Sequence, residues 1–489
     1  MRSSVAIPRQ FFRVPLVLAL LAVLSGCAVG PNYQRPAVNT PSGYRTPASA
    51  EAPPAEGAQS FGDLGWWEVF RDTQLAAYIS EALSNNWDIK IAASRVLQAE
   101  AQARITRSQF FPSVGVGGDI YTVRASERGP VTIPPGVDPQ HEYGDVFASM
   151  AAYEVDLWGR IRRADEAARA RLLATEDAQQ TVRQTLVAQV ATTYLNLLEL
   201  DLELDISRKA LEARNESLTL TTAREEGGVS SLQDVREAQI LVFTAESVIV
   251  DTLQRIEQTE NELSILLGRN PGNIERGPGL AGQERPQEVP AGLPSSLLER
   301  RPDIRTAEQR LVAANADIGQ AKAAFFPTLS LTGFYGYQSV ALSDLFTGPA
   351  RSWQFGPTVT LPLFTGGRLR GGLKLAQAQF EEAVAYYQGT VQQAFREVSD
   401  SLIAYQRTRE FRIRQEERTI AQRSATELAS VRYEGGVTSY LEVLYNEQEL
   451  FTAELALAQA RRNELLSVIQ LYRALGGGWQ AETDREEKG

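Results

Sequence analysis

Hydrophobic and polar positions along this chain follow two periods, helical and alternating, in an order that is used twice. Residues 160–225 contain no proline or glycine, and Val190, Leu197, Leu204, Leu211 and Leu218 recur every seventh position. That spacing predicts a long amphipathic helix with a narrow apolar seam. About 65 residues at 1.5 Å each make a rod of about 100 Å. Gly227-Gly228 predicts a tight reversal and a returning helix over 231–267. The pattern recurs over 369–433, Gly435-Gly436 and 439–475. Shorter helices are predicted over 72–84 and 88–108. Pro112 stops the second of these, because proline lacks the amide a helix needs.

Between the helices the period falls to two. Leu329, Leu331, Gly333, Tyr335 and Tyr337 alternate with Thr328, Ser330, Thr332 and Gly336. Trp353, Phe355, Pro357, Val359, Leu361 and Leu363 alternate with Ser352, Gln354, Gly356, Thr358 and Thr360. In the first copy Phe147, Ala151, Tyr153, Val155 and Leu157 share one parity, and 114–123 is a weaker, glycine-rich run. The strands expected are 113–123, 144–157, 327–338 and 352–364. Each is about the length that crosses a hydrocarbon core when tilted, although a half-buried soluble sheet carries the same pattern. Four strands cannot close a membrane barrel, because a lipid-exposed edge leaves backbone groups unpaired. Bacterial barrels have at least about eight strands, so sister chains must supply the rest. Three copies would give twelve strands; two or four copies satisfy the same closure.

The whole pattern is a duplication. Ala324-Phe325-Phe326-Pro327 echoes Gln109-Phe110-Phe111-Pro112 at an offset of 215, whereas Glu434-Gly435-Gly436-Val437 repeats Glu226-Gly227-Gly228-Val229 at an offset of 208. The change of offset marks one longer loop in the first copy. The expected organisation is a first repeat over 66–268 with its helical hairpin at 160–268. A linker over 269–293 follows, then a second repeat over 294–478 with its hairpin at 366–475 and a disordered tail over 479–489.

The first residues set the compartment. Arg2, Arg9 and Arg13 precede the apolar run 14–24, too short to span a bilayer, and Leu24-Ser25-Gly26-Cys27 follows. Residues 1–26 therefore read as a signal peptide. Residues 27–65 read as an extended tether, with Pro31, Pro36, Pro41, Pro47, Pro53 and Pro54. Cys27 is the one cysteine, which rules out an intrachain disulfide. The net charge of −11 argues against nucleic-acid binding, and no apolar run reaches transmembrane-helix length. No catalytic constellation is found. The single histidine, His141, lies in an expected external loop, and a metal site of histidines or cysteines is excluded by their number. No cofactor is expected.

Several motifs occur in order: Leu24-Ser25-Gly26-Cys27, Gly30-Pro31-Asn32-Tyr33-Gln34-Arg35-Pro36, Trp66-Trp67 with Phe70 and Asp72, Asp156-Leu157-Trp158-Gly159-Arg160, Arg300-Arg301-Pro302-Asp303-Ile304 and Leu475-Gly476-Gly477-Gly478-Trp479. Together they resemble the lipoprotein (NodT-like) branch of the TolC-type outer membrane factors, over essentially the whole mature chain. The resemblance implies a mostly α fold with a transmembrane β-barrel contribution, built from a duplicated unit of two strands and a long helical hairpin. It implies a homotrimer whose 12-stranded barrel continues into an α-helical periplasmic tunnel, anchored to outer membrane lipid through acylated Cys27. It implies the exit duct of a tripartite efflux pump, with a periplasmic adaptor and an inner-membrane transporter of the resistance-nodulation-division type as partners. A same-fold duct for type I protein secretion or metal-ion export is the alternative; the scarcity of histidine and methionine speaks against a metal-dedicated lumen.

The same resemblance implies a gate at the hairpin tips. Leu441 matches an apolar constriction residue and Glu442 a ring acid. Tyr433 matches a tyrosine that bonds across the closed tip, and Asp234 its acidic partner. Tyr445 stands where such proteins usually carry a second aspartate, which suggests a more hydrophobic or hydrogen-bonded gate. Gly227, Gly228 and Val229, with Gly435, Gly436 and Val437, match the tips that dock adaptor hairpins.

Overall fold

A computed structural model describes residues 28–45, 60–130, 132–284, 289 and 294–478. The elements are helices α1 (Thr73–Asn85) and α2 (Trp87–Ser108), strands β1 (Val114–Arg124) and β2 (Gln140–Val155), and the hairpin of α3 (Arg160–Glu226) and α4 (Leu232–Leu266). The second copy has α5 (Pro294–Arg300), α6 (Pro302–Ala323), β3 (Thr328–Ser339), β4 (Arg351–Thr360), α7 (Arg368–Glu434) and α8 (Tyr440–Ala474). The paired hairpins have matching lengths, 67 and 35 residues in each copy. Helix α7 continues through Gly371, Gly372 and Gly389, which add nothing to packing there and cost about 1 kcal/mol each relative to alanine. Among the described residues no helix is long and apolar enough to cross a membrane.

The chain divides into two compact units. One comprises 28–36, 97–174 and 307–387 among its described residues; the other comprises 37–96, 175–306 and 388–478. The first contains the sheet, four antiparallel strands in the order β1-β2-β3-β4. Register decides which side chains share a face. Val114 lies opposite Met150, Met150 opposite Gly333, and Gly333 opposite Phe355. By the same pairing Val116, Ala148, Tyr335 and Trp353 share that face, as do Ile120 and Gly144. Val114, Val116, Ile120, Trp353, Phe355 and Val359 are all exposed. The opposite face carries Asp119, Asp145, Ser149, Gln354 and Thr358, so one side of the sheet is apolar and the other mixed.

Three expectations change here. The parity read for Phe147, Tyr153 and Val155 does not hold along β2, because a bulge between Met150 and Tyr153 inserts one residue. Tyr153 pairs with Leu331 on the apolar face, whereas Phe147 points to the other and packs edge-on against Phe334 at 5.0 Å. His141 is not in a loop but in β2, opposite Val123, because the β1–β2 pairing runs on to Gln140. Strand β4 ends at Thr360, leaving Leu361 and Leu363 beyond it.

Several motif residues of this unit secure the junction of strand and helix. The Asp156 carboxylate accepts the Ile161 and Arg162 amides and so caps α3. Gly159 takes φ 78, and Arg160 forks onto Glu154 at 2.8 and 2.7 Å. Trp158 stacks on Phe326 at 4.8 Å and donates to the Pro327 carbonyl at 2.7 Å. Small residues Ala167, Ala170, Ala313 and Ala316 let α3 and α6 pack closely.

The extended segment 28–36 lies in the same unit. Arg35 grips Glu308 at 2.6 and 2.7 Å, Tyr33 donates to the same carboxylate at 3.1 Å, and Arg163 donates to Asn32 at 2.9 Å. A Cβ on Gly30 would come within 2.5 Å of the Gly319 backbone, so this approach requires glycine. The expected acylation residue Cys27, the signal 1–26 and the tail 479–489 lie outside the described residues.

Candidate functional site

The two hairpin turns, both in the second unit, are built alike. At the first, the Val229 amide donates to the Arg224 carbonyl at 2.8 Å and Gly228 to Glu225 at 2.8 Å. At the second, Val437 donates to Arg432 at 2.9 Å and Gly436 to Tyr433 at 3.0 Å. This paired pattern satisfies the last carbonyls of α3 and α7 and requires a left-handed residue after the helix end. Gly228 and Gly436 supply it, with φ of 71 and 70. Nothing lies within 4 Å of where a Cβ would stand on either, so backbone conformation alone selects glycine there. Val229 and Val437 are exposed beside them.

The returning helices begin with an acid at the third position, Asp234 in α4 and Glu442 in α8, again 208 residues apart. A carboxylate suits a helix N-terminus electrostatically, but the two are used differently. Asp234 closes a capping box. It accepts the Ser231 amide at 3.0 Å and the Ser230 hydroxyl at 2.7 Å, and these donors hold its carboxyl below the usual range. Glu442 instead receives Arg432 at 3.1 Å and the Thr438 hydroxyl. Ser439, ahead of α8, makes no side-chain cap bond.

Between the tips sits a buried cluster of Ala238, Ala429, Tyr433, Tyr440 and Val443. The two tyrosine rings are 5.4 Å apart, and the Tyr440 hydroxyl meets that of Ser217 at 3.0 Å. Arg224 lies 4.4 Å over the Tyr433 ring and donates to its carbonyl at 3.3 Å. The Tyr433 hydroxyl is buried with no hydrogen-bond partner among the described residues. The bond expected between Tyr433 and Asp234 is therefore not formed within this chain. Ser230 and Ser231, immediately before α4, occupy Asp234 locally.

Leu441 and Tyr445 are 62% and 63% exposed. Four residues apart on α8, they share a face and leave an apolar strip in solvent, with Glu442 only partly exposed at its edge.

The structure adds residues that the sequence reading did not select. Arg224 and Arg432 are repeat equivalents, each four residues before a left-handed glycine, a signal the duplication already carried. Arg214 is different. It is 2% exposed and bonds to α4 and α8 at once, yet it sits unremarkably between Leu211 and Leu218 in the heptad seam.

Comparison with known proteins places these features in a wider group. The family model described as outer membrane efflux protein matches residues 78–269 and 293–477. The outer membrane protein OprJ of Pseudomonas aeruginosa is 37% identical over 476 residues, spanning 94% of this chain and 95% of that protein. The solvent efflux pump outer membrane protein SrpC of Pseudomonas putida is 37% identical over 473 residues, spanning 95% of this chain and 98% of its own length. Among solved structures, the open state of the Neisseria gonorrhoeae MtrE outer membrane channel aligns with a TM-score of 0.83 at 30% identity. That alignment covers 93% of this chain and 99% of that one.

Proposed function

This chain belongs to the outer membrane efflux protein family, and from that premise we propose that three copies assemble into a gated exit duct for small molecules. It is an outer membrane channel component of an efflux pump, mostly helical with a β-barrel contribution. The observation that carries the proposed assembly is the sheet. It has one coherent apolar face, a mixed opposite face, and β1 and β4 as edges without a further strand partner among the described residues. In lipid such edges need strands from sister copies, and three copies give a twelve-stranded closure with the apolar face outward. Acylated Cys27 alone is a modest anchor, and the barrel supplies the second membrane attachment that makes it secure. Segment 28–36, bound through Arg35 and Glu308, fixes where that anchor enters.

The hairpin tips are the gate and the docking point. Leu441 and Tyr445 from each copy converge as an apolar ring that excludes water. Glu442, restrained by Arg432, adds an acidic ring that favours cations. Tyr433, packed in the buried cluster, and Asp234, capping α4, hold the tips in place. The valine-capped turns at Gly227, Gly228 and Val229 and at Gly435, Gly436 and Val437 receive the hairpins of a periplasmic adaptor. That adaptor links the duct to an energised inner-membrane transporter of the resistance-nodulation-division type. Relatives named for solvent, toluene and antibiotic efflux support apolar molecules and drugs as cargo. The test is single-channel conductance in planar bilayers. Leu441→Ala with Glu442→Ala should raise it, and an unchanged conductance removes both residues from the gate.

A further inference from the structure

About 18 Å along α3 from its end at Glu226, one buried arginine ties the two hairpins together. Arg214 of α3 donates through Nη1 to the Leu241 carbonyl of α4 at 2.8 Å, and through Nη2 to Gln448 Oε1 of α8 at 3.1 Å. Its guanidinium lies 4.7 Å from the Phe451 ring centre, also on α8. Beside it is Glu447, whose Oε2 is buried with no hydrogen-bond partner among the described residues. Both line a cavity of about 560 Å³ among α3, α7 and α8, which Lys209, Arg423, Glu427 and Glu454 also border. A carboxylate without a hydrogen bond is costly to bury, so this one is a candidate for work other than packing.

We propose that Arg214 is a positioning residue that clamps the second hairpin to the first, and that Glu447 loosens this clamp when it ionises. The inference rests on the reading of the tips as the gate, because separating the hairpins is what opens them. Burial pushes the Glu447 carboxyl up to about 7; the attraction of Arg214 acts in the other direction and is outweighed. Burial also lowers Arg214, against the pull of Glu447 and Tyr440. The remaining charged groups facing this point are already engaged or lie on its rim. Lys209 of α3 is bound to Asp205 at 2.7 Å, and Arg423 of α7 to Glu454 of α8 at 2.7 Å. Glu427 of α7 adds a third carboxylate to the cavity wall, beside Glu447 and Glu454, and α4 presents the Leu241 carbonyl to Arg214.

The direction of the pH effect follows. A carboxyl whose pKa is raised by burial favours the packed arrangement while protonated. That contribution is complete below its ordinary value of 4.5 and is lost as pH rises through about 7. The clamp is therefore firmest in acid and weakest above neutrality, where hydrating the Glu447 carboxylate rewards separation of the hairpins.

The experiment is conductance in planar bilayers from about pH 5 to about pH 8, with five forms of the full chain: wild type, Glu447→Gln, Arg214→Ala, Arg214→Lys and Leu441→Ala with Glu442→Ala. The open-to-closed ratio of the wild type should rise about seventyfold for each Glu447 across this range, from the shift between 4.5 and about 7. Glu447→Gln, nearly isosteric and unable to ionise, should remove that slope. Arg214→Ala should raise conductance at every pH, and Arg214→Lys should recover part of the closure. A Glu447→Gln channel that keeps the wild-type slope, or a wild type without one, overturns the inference. If the tip double variant still raises conductance in that case, only the clamp fails. If it does not, the gate reading fails as well.

Discussion

Tyr440 offers the sharpest mutational test of the tip packing, because its ring and its hydroxyl can be removed separately. The side chain is 3% exposed, packs 5.4 Å from Tyr433, and joins Ser217 of the other hairpin at 3.0 Å. Tyr440→Phe deletes the hydroxyl and costs about 1 kcal/mol for the lost bond, about fivefold in the closed-to-open ratio of each copy. Tyr440→Ala also empties the site of the ring, a loss of about 3–5 kcal/mol for a buried aromatic. If the cluster exists only in the closed arrangement, that is roughly a hundredfold to a few thousandfold per copy. The assay is planar-bilayer conductance, with circular dichroism as a check that the 67-residue helices still form. The expected order is wild type lowest, Phe intermediate and Ala highest. An alanine channel that is fully helical yet conducts like the wild type refutes the reasoning, since the cluster would then persist in both states.

Two further outcomes bear on docking and anchoring. Gly436→Val puts a β-branched residue at φ 70 with open space around it. The strain is of order 1–2 kcal/mol, so the assembly should still form while drug resistance in cells is lost; normal resistance would count against adaptor docking at this turn. Cys27→Ser should abolish fatty-acid labelling of the protein, and retained label would place the modification elsewhere.

The long helices were legible because glycine and proline are absent from 160–225 and the apolar seam repeats every seven residues. The turns were legible for a related reason, since a glycine pair after such a helix offers the left-handed residue its end requires. Strands were read less well. Alternation reports parity, and the bulge after Met150 changes parity without altering composition, so Phe147 does not share a face with Tyr153 and Val155. His141 shows the same limit at a strand end, where pairing with Val123 extends β2 through a stretch flanked by proline and glycine. At the tips, Leu441, Glu442 and Tyr445 could be placed by position along α8. The partners could not, because the serines before α4 compete for Asp234 at short range. Arg214 left no trace in the pattern. An arginine in an apolar seam reads as a surface residue until three helices are seen to close around it.

Native mass spectrometry of the purified full-length protein released from lipid is the most direct test of the assembly on which the channel depends. The mass of three chains, with no folded single chain persisting, is the result expected from a sheet whose β1 and β4 edges must be completed by sister copies. A stable, folded single chain in lipid would contradict it.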